Sequence, residues 1–136
     1  MAFTELNMFS PEPVQGMLAI SDSKRTLGAM FKPLAGSEFT TLKAGDPVSF
    51  QTGNSLIPLV RHLNESDADM VGLVAFAQDK VSYTDGDTLE VNLTGTIVHM
   101  RTTSAIRRGD EFEGIGISID DKDAGEFTRV SIRGIL

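Results

Sequence analysis

The 136-residue chain has no cysteine and no tryptophan, one tyrosine and two histidines. Without cysteine there is no disulfide framework, no thiolate zinc site and no thiol nucleophile. A small exported domain usually leans on disulfides, so their absence suits folding in a reducing cytoplasm. Neither His62 nor His99 has a second histidine at ligand spacing, and both read as ordinary strand-face or surface residues. Positive charge is also scarce: 12 Lys and Arg stand against 19 Asp and Glu, a formal net charge of −7. That balance argues against a nucleic-acid partner, which needs clustered cations to displace counterions from phosphates. It equally disfavours docking on an anionic membrane. No run approaches the ~20 apolar residues of a membrane-spanning helix. The start, Met1-Ala2-Phe3-Thr4-Glu5-Leu6, has neither a basic nor an apolar leader region, and the expectation is a chain without a signal peptide.

What the chain has is a succession of short apolar or alternating runs separated by Gly, Asp, Asn and Ser, the pattern of consecutive β-strands. Met70–Phe76, Lys80–Tyr83, Leu89–Leu93, Gly95–Met100 and Ala105–Phe112 form the clearest set. Gly16–Ile20 reads as a first strand and Phe39–Leu42 as extended. Leu27–Leu34 reads as a helical turn or an irregular crossing closed by Pro33. In Ile57–Leu63, Pro58 cannot donate to a ladder, which places it at a strand start or a sheet edge. Ile115, Ile117 and Ile119 alternate on one face and pair across a charged turn with Phe127–Ile132 as a hairpin. The apolar end, Gly134-Ile135-Leu136, points to a docked terminus. With no long amphipathic helix in view, the expected class is all-β: a compact β-barrel or β-sandwich over residues 16–136, preceded by an extended N-terminal arm over residues 1–15. Pro11 and Pro13 keep that arm out of a helix.

A Gly-Asp-x-apolar unit occurs at Gly45–Val48, Gly86–Leu89 and Gly109–Phe112. Glycine supplies a positive φ and aspartate bonds the nearby backbone, so each copy predicts a tight turn feeding a strand. Other motifs reduce to structure. Asp120–Glu126 lacks the ligand alternation and the bidentate glutamate of a calcium loop and reads as the hairpin turn. Gly114-Ile115-Gly116-Ile117-Ser118 has no following helix to seat a phosphate, so its glycines mark a bulge or a close backbone approach. Arg108-Gly109-Asp110 spells an adhesion tripeptide but coincides with the recurring turn. No catalytic constellation and no cofactor motif is present, and the expectation is a non-enzymatic protein without cofactor or metal.

The ordered set Val71-Gly72-Leu73-Val74-Ala75, Tyr83-Thr84-Asp85-Gly86-Asp87, Gly95-Thr96-Ile97-Val98 and Ala105–Asp110 resembles the short structural-cement or head-decoration proteins of tailed bacteriophages. The resemblance runs from Leu59 to Glu113 and does not extend to residues 1–40. It implies a compact β-barrel or sandwich, made in the host cytoplasm, that binds the outside of the major capsid protein lattice and stabilises the head. The implied partners are the major capsid protein and the chain itself, as a homodimer or homotrimer, with neither nucleic acid nor membrane. The alternatives are another small virion protein, such as a tail-tube or head–tail joining component, or a ligand-binding β-barrel.

Candidate contact residues follow from exposed apolar and charged stretches. Phe3, Leu6, Met8 and Phe9 put more apolar surface on the arm than a solvated tail needs. Glu65, Asp67 and Asp69 line the acidic 64–69 loop, and Arg101, Arg107 and Arg108 form the one local basic cluster.

Overall fold

The computed structural model describes residues 13–51, 55–65 and 69–136. The arm residues Phe3, Leu6, Met8 and Phe9, and Asp67 of the acidic loop, lie outside the described residues. Among those described the fold is all-β, with two 3-10 turns, at Ser21–Ser23 and Leu63–Glu65. The strands are β1 Thr26–Phe31, β2 Pro47–Gln51, β3 Leu59–His62, β4 Gly72–Val74, β5 Thr88–Asn92, β6 Ile97–Arg101, β7 Glu111–Phe112, β8 Gly116–Ser118 and β9 Phe127–Ile132. The first five close a barrel in the order β1-β3-β2-β4-β5, and the last four form a sheet in the order β6-β9-β8-β7.

Two apolar clusters hold these units. Inside the barrel, Phe31, Val48, Val60, Val74 and Val91 pack with Ala29 and Leu89, and Leu42 and Tyr83 join them from outside the strands. Between barrel and sheet, Leu73 meets Val98, Met100, Phe112, Val130 and Ile132. Strand β4 therefore serves both clusters: Val74 turns into the barrel and Leu73 toward the sheet, and all three of its residues are buried. A strand covered on both faces has no reason to alternate, which is why Met70–Ala75 is a continuous apolar run. Gly72 fits there because nothing larger does. A Cβ on it would stand 2.0 Å from the Asn92 carbonyl oxygen.

The recurring turns share one geometry. At Lys43–Asp46, Thr84–Asp87 and Arg107–Asp110 the fourth residue donates its N–H to the first carbonyl. Its carboxylate accepts the first residue's N–H, at 2.9, 2.8 and 3.0 Å. Gly45, Gly86 and Gly109 have φ near +90° while the preceding residue does not, which makes each a type II turn. A fourth copy, Asp123–Glu126, uses glutamate for aspartate, with Gly125 at φ 87° and a 2.7 Å bond to the Asp123 N–H. The residue ahead of each turn pairs with its counterpart: Leu42 with Tyr83, and Ile106 with Lys122.

Several sequence expectations need correction. Leu27–Leu34 is no helical turn or irregular crossing, because Thr26–Phe31 is a barrel strand paired to both β3 and β5. Its alternation is inward at Ala29 and Phe31, but Gly28 and Met30 on the other face blur the pattern. The run from Met70 to Phe76 is strand only over Gly72–Val74, and Lys80–Tyr83 makes only single bridges, at Lys80 and Tyr83. Gly16–Ile20 likewise contributes one bridge, Leu18 to Val98, on the β6 edge. The expected hairpin is present as β8–β9, but its buried face carries Gly116 and Ser118, with Ile117 on the half-exposed side. A Cβ on Gly116 would lie 2.2 Å from the Ser131 carbonyl, the close approach its glycines suggested. Ser118 is accommodated by a 2.6 Å hydroxyl pair with the equally buried Thr128. Pro58 directly precedes β3, as expected of a residue without a donor, and its carbonyl accepts the Met30 N–H. The terminus is docked by its backbone, Ile135 N–H to Met70 O at 3.0 Å.

Replacing Gly72 tests the shared strand. Gly72→Ala is expected to cost about 2–4 kcal/mol in urea unfolding, because the clash is with backbone. Gly28→Ala, which meets nothing within 4 Å, is expected to stay within about 0.5 kcal/mol.

Candidate functional site

The barrel interior is closed to ligands. Phe31, Val48, Val60 and Val91 are fully buried in it, and Tyr83, with its pKa raised by burial, packs with them. The histidines are structural neighbours of other groups. His62 stacks on Phe39 with ring centroids 4.3 Å apart and accepts the Asn64 N–H at Nδ1. His99 sits on the outer face of β6 with its pKa lowered, first by burial and then by Arg129. Among the described residues no group of three or more acids and histidines is placed to hold a metal. In the acidic 120–126 turn, Asp120 is committed to Arg129, Asp121 accepts the Arg108 N–H at 2.8 Å, and Glu126 closes its own turn.

That leaves the surface. Arg101, Arg107 and Arg108 all lie at the end of the second sheet that borders residues 118–126. Arg101 donates to Gly125 O at 2.7 Å and lies 4.5 Å over the Phe127 ring. The Arg107 and Arg108 side chains are exposed on their type II turn, with acidic Asp110, Asp121, Asp123 and Glu126 in the same or facing turns. This end therefore presents both signs of charge. Glu65 lies in the barrel half, in the 3-10 turn after β3, where it accepts the Leu34 N–H at 3.3 Å and the Ser37 hydroxyl. It braces the 34–37 loop, while Asp69 is exposed. Thus the three arginines share one region, and Glu65 and Asp69 belong to another.

Sequence reasoning did not single out Phe76 and Val81. With Phe76 and Val81 read as parts of strands, their exposure was hidden; the structure turns the chain back at Gln78-Asp79, between the Ala77–Lys80 bridge partners. Phe76 and Val81 then border an apolar groove of about 220 Å³ with Val14, Lys43 and Lys80.

No protein-family model and no curated protein matches the chain. One solved structure does: the head fiber gp8.5 N base of bacteriophage phi29, at 16% identity, covering 80% of this chain and 93% of that one, with a TM-score of 0.42. A likeness of that extent carries no functional inference.

One ion pair at the mixed-charge end gives a pH signature. Asp120 makes a two-pronged pair with Arg129, 2.9 Å to Nε and 2.7 Å to Nη2. These bonds first, and the Arg129 N–H after them, hold its pKa down to about 2. An unfolded aspartate titrates at about 3.9. The pair's contribution is therefore complete above that value and lost as pH falls toward 2. With Arg129 partly exposed, Asp120→Asn is expected to cost about 1 kcal/mol at pH 7. Urea midpoints of the two proteins should converge as pH falls from 4 to 2.

Proposed function

We propose that the chain is a capsid-decoration, or cement, protein of a tailed bacteriophage: it binds the outer surface of the major capsid protein lattice as a homodimer or homotrimer and stabilises the head. The observation that carries this reading is the filled barrel. A barrel whose interior is occupied by its own Phe31, Val48, Val60 and Val91 side chains offers partners a surface and no chamber. That favours a binding module over the ligand-binding alternative. The segments that resemble decoration proteins support the reading by their placement. Val71–Ala75 contains β4, Tyr83–Asp87 contains the turn into β5, Gly95–Val98 enters β6, and Ala105–Asp110 contains the turn into β7. Leu73, Val98 and Ile106 from three of them pack in the cluster between barrel and sheet, and Tyr83 from the fourth packs in the barrel core.

The physics of decoration asks little more. A symmetric oligomer spanning neighbouring capsid subunits converts weak single contacts into stable attachment through effective concentration. Whatever binds only the assembled shell stabilises it by mass action, about 2.7 kcal/mol per site at a hundredfold excess over Kd. The mixed-charge end around Arg107 and Arg108 and the exposed Asp69 are the proposed shell contacts. The virion surface is then the site of action.

Co-sedimentation with purified phage heads lacking their decoration protein tests this. The expected result is binding that saturates at a fixed copy ratio per head and raises the temperature at which heads release DNA. A chain that stays in the supernatant at every concentration overturns the reading.

A further inference from the structure

The chain has seven arginines, and five of them are used within it. Arg25 donates to Thr94 O at 3.0 Å and Arg101 to Gly125 O at 2.7 Å. Arg129 and Arg133 pair with Asp120 and Glu111. Arg61 is engaged as well. The remaining two, Arg107 and Arg108, are consecutive and exposed, and their guanidinium groups have no partner among the described residues.

The backbone beneath these two is fixed. Asp110 donates its N–H to Arg107 O at 3.0 Å, and its carboxylate accepts the Arg107 N–H at 3.0 Å. The Asp121 carboxylate accepts the Arg108 N–H at 2.8 Å, and the Gly109 N–H reaches Ser118 O at 2.8 Å. Asp110 and Asp121 thus bond the arginines' peptide N–H groups and leave both guanidinium forks to solvent. Side chains on a braced turn give up only their own rotamer freedom on binding.

We propose that Arg107 and Arg108 grip carboxylates of the capsid shell protein, one fork to each acid, and that this pair anchors the chain there. The inference rests on the decoration reading and adds the chemistry of the contact. An arginine fork matches a carboxylate or a phosphate group with two parallel hydrogen bonds. The surroundings choose between them. Asp110 and Asp121 lie against the turn, and Asp123 and Glu126 form the ends of the facing one. A nucleic acid would set a row of phosphates against these four acids. Separate carboxylates on a protein surface meet the two forks without that repulsion. With the other arginines engaged inside the chain, this turn is where an acidic protein surface finds free forks.

Purified heads lacking their decoration protein are the probe. The unsubstituted chain is expected to bind them, more weakly as salt is raised. Arg107→Gln/Arg108→Gln is expected to bind about tenfold more weakly, the size of two rim ion pairs, with unchanged urea midpoint and solution mass. Arg107→Lys/Arg108→Lys keeps the charge, loses the fork and should fall between the two. Lys24→Gln/Lys43→Gln removes the same charge from exposed positions elsewhere and should bind within about twofold of the unsubstituted chain. Heads whose carboxylates are amidated with carbodiimide and ethanolamine should hold the unsubstituted chain no better than the glutamine variant. An unsubstituted chain that ignores untreated heads overturns the decoration reading and this proposal together. Where it binds, the proposal alone is overturned if the glutamine or lysine variant at 107 and 108 binds equally well. Equal loss in the 24/43 variant, or undiminished binding to amidated heads, overturns it too. So does a glutamine variant of lower solution mass, which would set the arginines between copies.

Discussion

Everything in this fold depends on one strand being covered twice. Strand β4 closes the barrel between β2 and β5, and its other face is the floor on which the second sheet rests through Leu73. Both tasks require the backbones of β4 and β5 to come close together at Gly72 and Asn92. A methyl group at Gly72 would press on the Asn92 carbonyl and strain the barrel closure and the sheet's footing together. The C-terminus reinforces the same place. Gly134 also packs against Val71, and the Thr94 hydroxyl accepts the Gly134 N–H at 2.8 Å and donates to its carbonyl at 2.9 Å.

The turns explain how so short a chain orders so many strands. In each type II copy the residue before the turn lies six positions ahead of a buried one: Leu42 and Val48, Tyr83 and Leu89, Ile106 and Phe112, Lys122 and Thr128. The turn fixes the relation between them by two local hydrogen bonds, without contributions from distant residues. Pairing the lead residues, Leu42 to Tyr83 and Ile106 to Lys122, then ties the turns together two by two. In the barrel half the pair is apolar and caps the core. In the sheet half Lys122 replaces an apolar partner, and Thr128 replaces an apolar inward residue, which Ser118 satisfies. The same device thus serves a dry core and a partly polar one.

Much of this was legible in the residues and part was not, for physical reasons. Three of the four turns were visible because glycine followed by aspartate has a strong local meaning. The fourth was read as part of a charged hairpin because Glu126 does with a longer side chain what aspartate does elsewhere. The all-β class followed from short runs and punctuation. Strand β1 was lost because barrel strands need only an alternating inward face, and Gly28 and Met30 gave its outward face no polar signature. The outward placement of Ile117 was equally unreadable, since nothing local announces that the buried side of a hairpin will be Gly116 and Ser118. The candidate contacts divide similarly. The arginines could be found as a cluster, but the acids that face them arrive from a turn more than ten residues on.

The exposed apolar walls at Phe76 and Val81 follow from the same economy. Once Val74 has left β4 the chain must travel to Tyr83, whose ring joins the barrel core, and it does so by a tight reversal at Gln78-Asp79 that has no second layer above it among the described residues. A core residue in that segment has nothing to be buried against within the described part of the chain, yet Phe76 and Val81 stand there, while Lys80 turns to the Asp87 carboxylate at 3.1 Å. Solubility alone would favour polar side chains at both positions, since an open apolar concavity invites association. Tyr83 sets the constraint: its ring must reach the barrel core, and the short path to it from Val74 leaves Phe76 and Val81 with no described layer to cover them.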